Sequence, residues 1–351
     1  MKIKKILSLL ACLSMGIFAC KAAPPGNDVL DPQTEKIIEE AEHIIMNYMP
    51  EQHYPLKKIA KTCSNDSFTP DGVKWIPFKQ AFPKVAPKKY KVKKDPYVSR
   101  ENLAKAAIEA TEIFKKEKPL VEIRSKKGIL FGSDFHGDVD SFKNFLLMYF
   151  KLMRLGVVDM AVVGGDFTDR EFFGAETIYL LYTMKKLMPD NIHIFSGNHE
   201  NLNLQNKQGY NTLMTELKNK YNVIDYEDEL LKSIDESYRY LPVAAVASLP
   251  VKISKPDGSE HEEEQKYFCV HGGLAEEILG EGGVEVISKI PRPFPSDPFL
   301  SKTADDKSVN HEESDGKKLS EQDASDGALE KKKIDDEKKL YDGPVHQLTW
   351  N

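Results

Sequence analysis

Three short apolar runs, each ending at polar, chemistry-bearing residues and separated by stretches of helical periodicity, constrain this chain most. They are "GILFGSDFHGD" from Gly128, "VVDMAVVGGDF" from Val157 and "NIHIFSGNHE" from Asn191. Between them, Ser141 to Leu155 reads as a helix with Gly156 past its end, and Ala175 to Met188 as a second helix stopped by Pro189. Strand, helix, strand, helix, strand calls for right-handed crossovers, and so for a parallel sheet. Further on, "LPVAAVASLPVKIS" and "QKYFCVHGGL" flank the charged turn "KPDGSEHEEE", which predicts an antiparallel pair. The expected fold class is therefore a layered α/β sandwich: a parallel βαβαβ half plus an antiparallel second sheet.

A helical N-terminal extension precedes this body. Residues 1–23 read as a secretory signal, with three lysines in the first five residues, an apolar run from Ile6 to Phe18 and then small residues. Ile17-Phe18-Ala19-Cys20 resembles a bacterial lipobox, so Cys20 is the candidate lipidation site, with ordinary cleavage near Ala22 or Ala23 as the alternative. Either cleavage implies an exported protein of the cell envelope, periplasmic or at the surface, and a lipid-anchored one if Cys20 is modified. Cys63 and Cys269 are then the thiols of the mature body, which is no disulfide framework.

The extension spans residues 24–100. Asp31 to Tyr48 carries Ile37, Ile38, Ala41, Ile44 and Ile45 at helical spacing. Residues 65–98, rich in Pro and Lys, predict an irregular covering segment anchored by Trp75, Phe78 and Phe82, with a basic docking surface as the sharper alternative. Ser99 predicts an N-cap for a helix through about Lys118. A main domain over 101–300 follows. Residues 301–340 alternate in charge with few large apolar side chains, which predicts a disordered insertion. The net charge of −6 and pI near 5.9 provide no broad basic field, so nucleic acid is not an expected partner.

Each parallel run delivers metal-ligating residue types just past its C-terminal end: Asp134 and His136, then Asp166, then Asn198 and His199. Ligands of open α/β sheets gather at that edge. His271 follows a fourth apolar run and precedes Gly272-Gly273, where the backbone can turn closely around a bound group.

With these four stretches in order, the chain resembles the metallophosphoesterase superfamily, and within it the calcineurin-type, serine/threonine-specific phosphoprotein phosphatases. The resemblance runs from about residue 101 to 280. It is carried by Ser133-Asp134-Phe135-His136-Gly137, Gly165-Asp166-Phe167-Thr168-Asp169-Arg170-Glu171, Gly197-Asn198-His199-Glu200 and His271-Gly272-Gly273. Ser133 and Glu171 stand where that family has glycine. The resemblance implies two divalent ions, manganese, iron or zinc. Asp134, His136 and Asp166 would hold one, and Asp166, Asn198 and His271 the other. It makes His199 the proton donor, Asp169 its orienting partner, and Arg170 and Asn198 binders of the substrate phosphate. The implied substrate is a phosphorylated protein or a small phosphoester.

The symmetrical dinucleoside tetraphosphatases of the same superfamily usually carry Asn at the place of Asp169 and Asp at that of Glu200, so these two residues favour the phosphoprotein branch. The family has one more metal-binding histidine and a second phosphate-binding arginine beyond His-Gly-Gly. Residues 341–351 resemble the start of the stretch leading there, which predicts a truncated continuation, an under-coordinated second ion and reduced activity. His311 and His346 are not expected to replace the missing ligand. The alternative to an enzyme is a non-catalytic exported lipoprotein that keeps the domain for binding.

Overall fold

In the computed structural model, the described residues are 10–11, 16–21, 30–47, 73–77, 97–202, 212–225, 227–254, 259–274 and 283–294. The three apolar runs form β5 (Gly128–Gly132), β6 (Met160–Val163) and β7 (Ile192–Ile194), parallel neighbours with Ile129 opposite Met160 and Ala161 opposite Ile192. Every residue of β5 is buried, which explains a continuous apolar run in place of an alternating one. The two faces are nonetheless distinct. Leu130, Ala161, Val163, Ile192 and Ile194 face a core of helices, whereas Ile129, Phe131, Val162 and Phe195 face a second sheet.

The crossover helices are α3 (Val139–Arg154) and α4 (Gly174–Leu187), introduced after α1 (Pro32–Asn47) and α2 (Arg100–Phe114). Asp138 caps α3 by accepting from Ser141 N, so the helix begins at Val139, two residues ahead of the predicted start. Gly156, at φ 65°, ends it as expected. On α3, Phe142, Phe145, Leu146, Tyr149 and Phe150 are fully buried, each large apolar side chain contributing about 1.5–3 kcal/mol. Ser99 accepts from Asn102 N and caps α2. Ile38, Ala41 and Ile45 of α1 belong to the same buried cluster, and Arg154 ties α1 to α3 through Glu35 and Glu42, so the extension's first helix is part of the main core.

The second sheet holds β8 (Ala244–Ser254) and β9 (Glu260–Val270), antiparallel over their whole length, as expected. It is not purely antiparallel. The strand β4 (Leu120–Arg124) pairs in parallel with β8, and β1 (Leu10–Ala11) in parallel with β9. "LVEIR" is too short to declare its period, and only pairing with β8 defines it. Ile123, Ala245, Ala247, Leu249, Tyr267 and Cys269 meet the first sheet and close the sandwich. On the opposite face Leu120, Val243, Ala244 and Val270 are covered by Ile287, Ile290 and Phe294, from and just beyond the 3-10 helix Gly283–Lys289.

The segment expected to be irregular contains a strand, β3 (Val73–Pro77), which corrects that reading. Its proline sits at the end of an edge strand, the one place in a sheet that tolerates it. It pairs with β2 (Gly16–Lys21), which in turn pairs antiparallel with β5, Cys20 opposite Ile129. Two helices went unpredicted: α5 (Leu213–Tyr221), capped by Thr212, and α6 (Glu229–Tyr240), capped by Asp228. The expected anchors Phe78 and Phe82, together with Cys63, the charged stretch 301–340 and residues 341–351 with His346, lie outside the described residues. Among those described, no helix is long and apolar enough to cross a membrane.

Candidate functional site

The loops leaving β5 and β6 run side by side. Asp134 N donates to Gly165 O, His136 N to Asp166 O and Gly137 N to Phe167 O, at 2.9 to 3.1 Å. This stitching bends the chain sharply: Asp134, His136, Asp166, Asp169 and Arg170 all hold φ between 50° and 70°. Left-handed backbone outside glycine costs of order 1–3 kcal/mol per residue and persists where surroundings enforce it, typically at functional sites. Gly165, at φ 85°, faces the backbone of Ser196 and Gly197 so closely that a Cβ there would overlap it. The β6 and β7 loops are thereby locked together.

The expected donor residues converge. One group joins His136, Asp166 and His199, and a second joins Asp134, Asp166 and His271, with Asp166 shared. Asn198 is in the second neighbourhood, its Oδ1 3.2 Å from His271 Nε2. Asp134 thus stands with His271, while the resemblance grouped it with His136. Ser133 donates its hydroxyl to Asp134 Oδ2 at 2.5 Å, so the serine standing in a glycine position adds a hydrogen bond to a candidate ligand.

Ring orientation tests whether these residues suit a cation. His136 Nδ1 lies 3.0 Å from Thr168 O and His271 Nδ1 2.7 Å from Gly164 O. A carbonyl only accepts, so both Nδ1 atoms carry a proton, and both Nε2 atoms are the ones turned toward the site where a cation could be ligated. His136 Nε2 is buried without a hydrogen-bond partner, 3.5 Å from Asp166 Oδ2. His271 Nε2 faces two oxygens, Asp166 Oδ1 and Asn198 Oδ1, both at 3.2 Å. Nitrogen and oxygen atoms converging in this way can share a proton or a bound cation, and mixed nitrogen and oxygen donors suit manganese, iron or zinc. The residues fit divalent metal.

Electrostatics distinguish the two rings. Burial, reinforced by Arg170 and His199, holds His136 below the ordinary histidine range, which favours the neutral, ligating ring. Burial opposes protonation of His271, but Asp166 outweighs it and raises the ring to about 9, so without a metal ion Nε2 holds a proton against Asp166 that a bound cation would displace. For His199, burial is likewise outweighed, by the Asp169 hydrogen bond and the fields of Asp166, Asp169 and Glu200. Its Nδ1 lies 2.7 Å from Asp169 Oδ2, and Arg170 Nη2 lies 3.4 Å from its Nε2. Arg170 is exposed, open to an incoming anion.

Glu200 was read only as a branch marker, yet it is structurally central. Its Oε2 accepts from Asp166 N and Gly197 N, each at 2.7 Å, and its Oε1 from Phe167 N at 3.1 Å. One buried carboxylate so ties two ligand loops. Its place directly after His199 was the available signal. Leu213 N donates to Asp169 Oδ1 at 2.6 Å, a contact that no motif announces.

A profile of the calcineurin-like phosphoesterase family matches residues 128–335, more than half of the chain. The chain belongs to the calcineurin-like phosphoesterase family. It is 30% identical over 192 residues to the serine/threonine-protein phosphatase 2B catalytic subunit A2 of Saccharomyces cerevisiae, covering 53% of this chain and 26% of that protein. The chain thus spans about a quarter of that curated relative's length. Among solved structures, a protein serine/threonine phosphatase from Saccharomyces cerevisiae, described as similar to human phosphatase PP5, aligns with a TM-score of 0.42 at 22% identity. That alignment covers 59% of this chain and 58% of the other. Membership of this family supports hydrolysis of phosphoesters.

Proposed function

We propose that the chain hydrolyses phosphate monoesters on serine and threonine side chains of proteins, using two divalent ions held around Asp166. The observation that carries this reading is the row of His199, Asp169 and Arg170 beside the two donor groups that share Asp166. The resemblance would have Asp134, His136 and Asp166 hold one ion and Asp166, Asn198 and His271 the other; in this geometry Asp134 groups with Asp166 and His271, and His136 with Asp166. When bound, such ions act as Lewis acids on a phosphoryl oxygen and lower the pKa of bound water.

The remaining chemistry falls to side chains. Arg170 presents a planar, permanently charged fork suited to two phosphate oxygens. The departing seryl or threonyl oxygen leaves as an alkoxide and needs a proton, which His199 Nε2 is placed to give. Asp169, on the far nitrogen, fixes the ring and stabilises its charged form. The Asn198 amide can donate to a further phosphate oxygen while its carbonyl faces His271. Protein phosphate as substrate rests on the relative's printed activity and on Asp169 and Glu200.

The test is turnover of the full chain on para-nitrophenyl phosphate, a phosphoserine peptide and a dinucleoside tetraphosphate, with manganese and with chelator. Manganese-dependent release of phosphate from the peptide supports the reading. Cleavage of the dinucleotide alone would replace it with the polyphosphate hydrolase, and turnover of nothing by folded protein would leave the non-catalytic reading.

Export with a lipid on Cys20 is also our proposal. It competes with the pairing of β2, because cleavage before Cys20 would remove Gly16 to Ala19 from that strand. The mass of the N-terminal peptide from the membrane fraction decides: a lipid-modified Cys20 supports the anchor, and an intact Met1 start excludes it.

A further inference from the structure

The turn carrying Asp169 and Arg170 is left-handed at both residues, at φ 67° and 70°, with side chains unable to relax into it as glycine would. Something must hold it. Its own sequence provides little: Phe173, at the N-cap position of α4, makes no side-chain cap hydrogen bond. The cap comes instead from α5, 42 residues away in sequence. Glu216 Oε2 accepts from Gly174 N at 2.8 Å and its Oε1 from Ala175 N at 3.0 Å.

Lys220, one helical turn further along α5, closes the clamp. Its ammonium reaches Phe172 O at 2.9 Å, Glu176 Oε2 at 2.7 Å and Glu216 Oε1 at 2.8 Å, and lies 4.9 Å above the Phe173 ring. Side-chain exposure is at most 8% for Lys220, Glu176 and Glu216, so water cannot replace these contacts. Glu176 and Glu216 flank the ammonium at the N-terminus of α4, where the helix dipole favours negative charge, while burial and Glu176 raise the Glu216 carboxyl to about 7. The N-terminus of the same α5 reaches the site itself, Leu213 N donating to Asp169 Oδ1. A single helix therefore grips both ends of the segment Asp169 to Ala175.

We propose that Glu216 and Lys220 are positioning residues for the reaction, acting through the Asp169–Arg170 turn on the His199 ring and on the phosphate clamp. This rests on the phosphatase reading of the site. Neither residue touches substrate. A shift of about 1 Å in a positioned group can cost on the order of a hundredfold in rate, and loss of the clamp is expected to lower kcat/KM about ten- to a hundredfold.

The experiment is a double-mutant cycle on the full chain with manganese, reading kcat and KM for para-nitrophenyl phosphate per folded molecule. Glu216→Gln, nearly isosteric, sets an amide NH2 against a backbone N–H; Lys220→Arg is the milder second variant should the first fail to fold. Each is made alone and in an Arg170→Ala background. Coupling predicts that either change costs about tenfold or more in the native background and less once Arg170 is gone, the remaining loss being the part carried through His199. A lowered Tm with kcat and KM unchanged, or equal losses in both backgrounds together with an unchanged His199 signal, would overturn the proposal and leave a purely structural role.

A second readout needs no turnover. The imidazole proton of His199 Nδ1, observed by NMR in the metal-free protein, should shift or broaden in Glu216→Gln, and an unchanged signal overturns the proposal. If the unaltered chain hydrolyses none of the phosphoesters while the NMR change appears, the phosphatase reading fails and the positioning by α5 stands.

Discussion

Removing the Glu200 carboxylate should cost this protein more stability than its lack of any substrate contact would suggest. Glu200 is 5% exposed and accepts three backbone N–H groups, those of Asp166, Phe167 and Gly197. Glu200→Ala strands all three in a buried place, and each unsatisfied buried donor costs about 1–3 kcal/mol. Simple addition gives about 3–9 kcal/mol, with the lower end favoured because neighbouring donors on one acceptor do not add independently. Glu200→Gln keeps one oxygen, which can serve Asp166 N and Gly197 N, and turns an NH2 toward Phe167 N. That leaves one unmet donor, about 1–3 kcal/mol. Burial, with Asp166 nearby, raises the Glu200 carboxyl to about 7, so relief of that charge partly offsets the loss in both variants.

The assay is urea unfolding followed by circular dichroism with chelator present, which keeps metal release out of the comparison. Stability should fall in the order native, Gln, Ala, with Ala lower by about 3 kcal/mol. Manganese affinity should fall about 10- to 100-fold, as for other partners that orient ligands. An alanine variant within about 1 kcal/mol of the native chain would refute the idea that this carboxylate binds the two loops together.

Three further outcomes follow from the packing. Ile38→Ala, at a fully buried α1 position in the main core, should cost about 2–5 kcal/mol in the same unfolding transition, and a loss under about 1 kcal/mol would contradict a shared core. Gly197→Ala should abolish manganese binding, since a Cβ there lies inside contact distance of Asp166 Oδ1 and 2.7 Å from Asp166 N, and unchanged affinity would show that the loop can yield. Burial, then Lys185, depresses His193 to about 3. The unfolded chain takes up that proton near pH 6.5, so this group's contribution to stability is lost as pH falls from about 6.5 toward 3. His193→Gln should therefore lose less Tm between pH 7 and pH 4.5 than the native chain, and an equal loss would contradict the assignment.

What was legible in the sequence was local. The parallel strands announced themselves because both faces of β5, β6 and β7 are buried, which writes a continuous apolar run, and the ligands followed at each exit. Ser99 and Gly156 marked helix ends by residue types with one dominant use. What stayed hidden depended on tertiary partners. The short β4 is a strand only because β8 lies beside it. In α5, "LMTELKNKY" buries just Leu213, Leu217 and Tyr221, too sparse a stripe to stand out from its polar flanks. Glu216 and Lys220 stand one turn apart, and nothing in their residue types announces burial. Only the fold shows them buried and turned toward α4.

The central claim is that Asp166 joins two groups of donors into a site for divalent metal. Its most direct test is calorimetric titration of manganese into the chelator-stripped full chain, beside Asp166→Asn and beside His261→Ala on the exposed outer part of β9. Saturable binding in the native chain and in His261→Ala, lost in Asp166→Asn, is the predicted result. Equal binding in all three would place the metal elsewhere and contradict the account.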